Sequence, residues 1–244
     1  MTYLILAIAT LITSIVSGVL SMAGGMILMG VFGFFLSVPA AMVLHGIAQS
    51  VSNGSRVWLH RRHIRWSVLI PYSVGAFIIL GLFSAIAFVP SMGMVFIIIG
   101  SFPLLALMLP KSIDLDMEKK PVAFVSGLIV TTAQMLAGAS GPVLDIFYVK
   151  SSLTRHEILG TKAITQTLGH LIKLAYYSVL LTAATIDLPL WVYPAVIGGA
   201  IGGNWIGKGL IEKISDDQFK SVGKIVISTI GVIYIGKGLF ELIA

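Results

Sequence analysis

The chain has 244 residues, 57% of them hydrophobic and only 11% charged, with a mean hydropathy of +1.00. An ordinary soluble domain is roughly 25% charged, so this composition excludes one and reads as an integral membrane protein. No cysteine is present, which removes disulfides, thiolate metal sites and thiol chemistry, and the net charge of +6 comes from Lys and Arg scattered between apolar runs rather than from a basic tail.

The first apolar run, Tyr3 to Leu20, has no Lys or Arg ahead of it and reads as a retained span rather than a cleaved signal. A glycine break, Met22-Ala23-Gly24-Gly25, opens a short apolar piece from Gly24 to Leu36, and a long run follows from Pro39 to Trp58. One helix from Gly24 to Trp58 would measure about 52 Å at about 1.5 Å per residue, too long for a single crossing, so the stretch is broken. Long runs continue at Ser67 to Phe88, Met92 to Leu109 and Pro121 to Ala137. A second break, Gly138-Ala139-Ser140-Gly141-Pro142, precedes a short piece from Gly141 to Val149. Glu157 to Leu181, Leu190 to Leu210 and Phe219 to Ile243 complete the series. The expected fold is therefore an all-α polytopic membrane domain over residues 1–244, with eight long transmembrane helices and two short broken segments.

Basic residues set the orientation. Arg61, Arg62 and Arg65 share one linker, Lys111, Lys119 and Lys120 a second, Lys150 and Arg155 a third, and Lys208, Lys213 and Lys220 a fourth. Placing all four in the cytoplasm gives each half five passes, four long and one short, with both termini outside. An odd number of passes inverts the second repeat relative to the first, a common plan in secondary transporters. The repeats are expected at about residues 1–110 and 121–244, joined by the linker 111–120. The loops agree, since the basic stretch His60 to Arg65 corresponds to Thr182 to Leu188, which has one acid and no base. Trp58 and Trp66 then flank an inner loop, with Trp191 and Tyr193 at an outer edge.

The repeat also appears in the polar residues. His45, Gln49, Asn53 and Arg56 recur as Lys162, Gln166, His170 and Lys173, each pair 117 positions apart, as 45 and 162 illustrate. Each set falls on one helix face as a continuous polar track. Ionisable groups in a bilayer face a partner or a water-filled cavity, so the tracks indicate a cationic transport pathway. Gln49 and Gln166 near the helix centres each offer two N–H donors to an oxyanion, or else hydrogen-bond between helices. Lys173 lies too deep to snorkel and needs a partner. Asp145, the acid embedded well within an apolar run, is the expected one, with a substrate anion or a proton on Asp145 competing for the pairing. His45 and His170 either titrate during the cycle or serve as hydrogen-bonded structural groups.

The two breaks admit two readings: close backbone contact with an anion at a half-helix N-terminus, with Pro142 suited to a first turn, or tight helix packing. Their equivalent places in both halves, each ahead of a polar track, favour a site. The candidate substrate-binding set is Gly24, Gly25, His45, Gln49, Asn53, Arg56, Ser140, Gly141, Lys162, Gln166, His170 and Lys173, with Asp145 and His170 as candidates for ion coupling. Gly202 to Gly209 imitates a P-loop, but Gly209 stands where Ser or Thr would hold magnesium and no strand precedes it. Gly198, Gly202 and Gly199, Gly203 read instead as a helix-packing face, and helix 190–210 could mediate a homodimer. His60 and His63 have no acid nearby, so no metal site is expected, and no cofactor is expected either.

In its glycine-broken short segments ahead of long polar-tracked helices, and in its basic loop ending Ile64-Arg65-Trp66, the chain resembles the TauE/SafE family of sulfite exporters. The best local matches are Gly18 to Gly25 followed by the Ala41 to Arg56 helix, and Ser126 to Pro142 followed by the Gly160 to Lys173 helix. The resemblance implies export of a small sulfur-containing anion, sulfite or an organosulfonate such as sulfoacetate. A multi-pass secondary transporter of the inner membrane is therefore expected, working by alternating access and having a small anion and the lipid bilayer as its partners, without nucleic acid. The rival is a membrane-embedded enzyme of the lipid diphosphate hydrolase kind, which needs clustered carboxylates or a metal, or a carrier of a different small anion.

Overall fold

The computed structural model describes residues 1–20, 23–108, 115–180, 188–211 and 216–243, and these form ten α-helices. They are α1 (Thr2–Leu20), α2 (Ala23–Phe35), α3 (Val38–His60), α4 (Trp66–Ile86), α5 (Met92–Met108), α6 (Lys120–Ala137), α7 (Gly141–Ile146), α8 (Arg155–Ala175), α9 (Val192–Ile211) and α10 (Asp216–Ile243). Helix boundaries fall within a few residues of those expected from the apolar runs. Lys111, in the expected linker, lies outside the described residues, as do Lys213 and most of Thr182 to Leu188, whereas Lys119 and Lys120 already open α6.

Local chemistry accounts for the ends. Ser37 and Thr154, again 117 positions apart, are the N-caps of α3 and α8. Thr154 forms a full capping box with Glu157, satisfying two orphan backbone N–H groups. Helix α6 stops at Gly138, whose φ of 75° is left-handed and whose N–H bonds back to the Gln134 carbonyl. A Cβ there would be strained and would sit 2.4 Å from Met29 Sδ. Pro142 then occupies the first turn of α7.

Only three described helices are by themselves long and apolar enough to cross a membrane: Trp66–Ile86, Lys120–Ala137 and Ile225–Ile243. Thr2–Ser17, Gly24–Phe35 and Met92–Leu105 are apolar but shorter, while α3 and α8 are long and carry the polar tracks that lower their hydropathy. The bundle turns apolar side chains outward, with Ile70, Phe77, Leu82 and Ile86 of α4 exposed. Its interior holds polar groups beside the apolar core, including fully buried His45, Ser52, Thr131, Thr165 and Lys173. Trp58, Trp66 and Trp191 are exposed near helix ends.

The halves interlock. Helix α1 packs most extensively on α9, α4 on α6, α3 on α8 and α5 on α10. Exchanging the first five helices for the last five turns the first pairing into the second and maps the other two onto themselves. Equivalent helices run antiparallel. His45 meets His170 and Lys173 at one end of the α3–α8 pair, and His60 meets His156 at the other. Gly93 likewise lies against Gly238 and Gly100 against Gly231. Glycines let backbones approach closely enough for dispersion to hold helices that gain nothing from the hydrophobic effect in lipid. Gly199 and Gly203 of α9 serve α1 in this way, whereas Gly198 faces open space. A return turn closes α7: Met117 N–H donates to the Phe147 carbonyl, and Ser152 donates to Glu118 through its N–H and hydroxyl. The chain leaving α6 thus comes back to the end of the bundle where α6 began.

Candidate functional site

Where α3 and α8 cross between the two breaks, Gly25, His45, Gln49, Ala139, Ser140, Gly141, Gln166 and His170 enclose a narrow polar cavity. Its free space holds about one or two waters. Seven of the candidate residues therefore share one wall system: one glycine and two track residues from the first half, and four residues from the second. Gly25 stands 3.4 Å, measured from an added Cβ, from Gln49 Oε1. Ser140 Oγ donates to Gln134 Oε1 at 2.7 Å. Gln49 Nε2, Gln134 Nε2 and His170 Nδ1 are buried without a hydrogen-bond partner among the described residues. Unpaired buried polar groups are costly, and Gln49 and His170 bring two of them to the cavity wall.

The other five candidates lie elsewhere. Gly24 faces α1, where an added Cβ would come within 2.1 Å of both Ser17 Oγ and the Thr13 carbonyl, which is tight packing. Asn53 donates to the Gln49 carbonyl at 2.9 Å, and Arg56 reaches Ser52 Oγ at 3.4 Å.

Lys162 and Lys173 divide the work differently from expectation. Asp145 pairs with Lys162, not with Lys173, the two side chains being in direct contact. Lys162 lies one turn before Gln166 on the α8 face that meets α7, whereas Lys173 lies nearly two turns beyond it. Lys173 is fully buried and donates to the Gly138 carbonyl at 2.7 Å, with His45 Nδ1 at 2.9 Å. His45 Nε2 lies 2.9 Å from the Gly25 carbonyl. A carbonyl only accepts, so Nε2 carries the imidazole hydrogen and Nδ1 is left to accept from Lys173. The result is a chain of bonds from Gly138 of the second break through Lys173 and His45 to Gly25 of the first. Gly46 makes room for it: an added Cβ would meet Leu174 Cγ at 2.8 Å and Lys173 Cε at 3.4 Å.

Sequence reasoning passed over Gln134, which is buried, holds Ser140 and keeps a free N–H group. Its signal was an amide four residues before the break in an otherwise apolar helix. It also missed Asn204 of α9, which donates to the Ser52 carbonyl and hydroxyl and to the Ser55 hydroxyl. Beyond the spans, His60, His63 and His156 gather at the end of α3, with ring centroids 5.8 Å and 5.3 Å from His156. Burial, and then the neighbouring His156, His63 and Arg56, hold the His60 imidazole below its ordinary value. Among the described residues no group of three or more His, Cys, Asp or Glu is arranged to hold a metal.

The described residues form an all-helical bundle with apolar sides turned outward and a buried polar cavity between broken helices, a plan that suits a membrane transport protein. The sequence matches the sulfite exporter TauE/SafE family over residues 6–234, and the chain belongs to that family. No curated protein matches it, and no solved structure does.

Proposed function

We propose that the chain is an inner-membrane secondary transporter that exports sulfite or a small organosulfonate such as sulfoacetate by alternating access through the cavity between the two breaks. The observation that carries this is the cavity wall itself. Backbone of both breaks, two track amides, two imidazoles and the Ser140 hydroxyl converge there, with Gln49 Nε2 and His170 Nδ1 buried and without a partner among the described residues, and no carboxylate lines it. The unpaired Gln49 amide N–H offers a donor to a tetrahedral or pyramidal oxyanion, and no carboxylate lines the cavity to oppose it. A hydrolase would call for carboxylates in the same place.

Eight crossing helices in inverted repeats are the architecture we infer. The antiparallel packing of equivalent helices supports it, since a two-fold axis relating antiparallel neighbours runs across the bundle and hence in the membrane plane. The end bearing Arg61, Arg62, Arg65 and Arg155 would be cytoplasmic, with both termini outside. The cavity is too small for the proposed anion as it stands, which suits a closed stage of an alternating cycle. A homodimer would use the Gly198 face of α9, because Gly199 and Gly203 are occupied by α1.

Proteoliposomes loaded with radiolabelled sulfite or sulfoacetate test the function. Saturable efflux of either, inhibited by the other and not by lactate, is expected. Efflux of lactate in preference to both would assign a different anion, and no flux of sulfite, sulfoacetate, taurine, sulfate or lactate would overturn the transport reading.

A further inference from the structure

The Lys173 amino group has two acceptors within reach, the Gly138 carbonyl at 2.7 Å and His45 Nδ1 at 2.9 Å, and it is wholly removed from solvent. A neutral amine has two N–H donors, and these two bonds use both. An ammonium has a third N–H and a full charge to satisfy. No carboxylate meets it among the described residues, because Asp145 is engaged by Lys162. On its own helix it faces His170, and from α3 it faces His45, whose ring centroid lies 5.4 Å from that of His170. Helix α6 contributes the Gly138 carbonyl and, one turn earlier, Gln134; α4 carries no charged side chain, only Tyr72. Arg56 lies toward the far end of α3, where it reaches Ser52 Oγ. The surroundings of Lys173 are thus neutral or cationic, and the anion that would balance an ammonium can come only from the cavity that His45 and His170 line.

We propose that Lys173 is the proton-binding group of this transporter: an anion entering the cavity draws one proton onto Lys173 Nζ, and the two cross together. The proposal rests on the transport reading above. The amine lone pair takes the proton from bulk water by the same open side that admits the anion, forming the ammonium; release of the anion to the other side returns the proton to water. No bond other than N–H forms or breaks. His45 is a positioning residue here: its Nδ1 accepts from Lys173, its Nε2–H holds the Gly25 carbonyl, and its ring stands between the new charge and the anion. For a dianion the complex that moves then carries one negative charge fewer than the substrate alone.

Calorimetric titration of the purified full-length protein with sulfoacetate, in buffers of different ionisation enthalpy, counts the protons taken up per anion bound. At about pH 7.5 the ligand's own acidic groups are fully ionised and contribute none. Wild type is expected to take up about one proton per anion. Lys173→Gln supplies a neutral group with two N–H donors for the same two acceptors, so it should stay folded, bind sulfoacetate more weakly and take up essentially no proton. Lys173→Met reports the same loss without the hydrogen bonds, should it fold. Proton uptake unchanged in Lys173→Gln, or sulfoacetate binding to wild type with no uptake, would overturn the proposal while leaving the transport reading intact. Absence of any sulfite or sulfoacetate binding would remove both.

Discussion

At the end of the cavity where α3 begins, His45 and Lys173 bind each other and two backbone carbonyls, and the cluster contains no carboxylate. At the end where α3 runs out, Lys162 meets Asp145 and Arg56 reaches the Ser52 hydroxyl. The 117-residue spacing pairs His45 with Lys162 and Arg56 with Lys173, so positions paired by spacing carry different chemistry. The cause is a single acid. Helices α2 and α7 begin 118 positions apart, and Asp145 of α7 answers to Ile27 of α2. Beside the acid a lysine is held in an ion pair; at the other end a lysine is buried on neutral acceptors, with no carboxylate meeting it among the described residues. The two ends of the α3–α8 pair are thus chemically unequal.

Removing the acid should have the largest effect. Asp145→Asn leaves the Lys162 charge buried without its partner, at a cost of about 3 to 5 kcal/mol, read as a fall in thermal midpoint of the detergent-solubilised protein. Adding Lys162→Met to Asp145→Asn should restore most of that stability. Failure of the double variant to recover would mean that the pair also holds α7 in place through other bonds, and that the two ends differ by more than the acid. Next in size, Gln49→Leu removes a donor from the cavity wall without touching either end cluster. Anion affinity should weaken by about 1.5 to 3 kcal/mol if that N–H bonds the ligand, with the melting point little changed.

Gly25→Ala tests the first break more gently. The added methyl would meet Gln49 Oε1 at 3.4 Å, a contact that the amide can relieve with a small shift. The variant should fold normally and transport more slowly, and wild-type flux would show that the Gly25 backbone is not close to the substrate. The smallest effect should come from the histidines at the end of α3. His60 is held below its ordinary value, so its protonation opposes the folded state. Stability from this group is full above the unfolded value near 6.5 and declines as pH falls through it. His60→Gln should flatten that decline in a pH series of melting curves.

Much of this was legible in the sequence because membrane segments announce themselves through length and hydropathy. The 117-residue spacing of the polar tracks holds also for the N-caps of α3 and α8, Ser37 and Thr154. What stayed hidden was partner choice. Lys162 and Lys173 lie three turns apart on the same side of α8, and which of them Asp145 meets depends on how far α7 descends after the left-handed turn at Gly138, a three-dimensional quantity that no spacing encodes. Gln134 was missed for a related reason: it sits before the break and has no amide counterpart in the first half, so the repeat did not point to it. The tracks also promised more than the cavity took, since a helical face is longer than one site. Asn53, Arg56 and Lys162 lie on it beyond the cavity, and Lys173 sits behind the cavity wall on His45 and the Gly138 carbonyl.

The most direct test of a site shared by both halves is sulfite and sulfoacetate affinity in the purified protein carrying Gln49→Leu, Gln166→Leu and the two together. Each single change is expected to weaken binding by about ten-fold or more, and the double change by roughly the product, as for two separate donors to one ligand, with melting temperature preserved throughout. A folded double variant that binds either anion as tightly as wild type would place the substrate outside the cavity between the breaks and contradict the site.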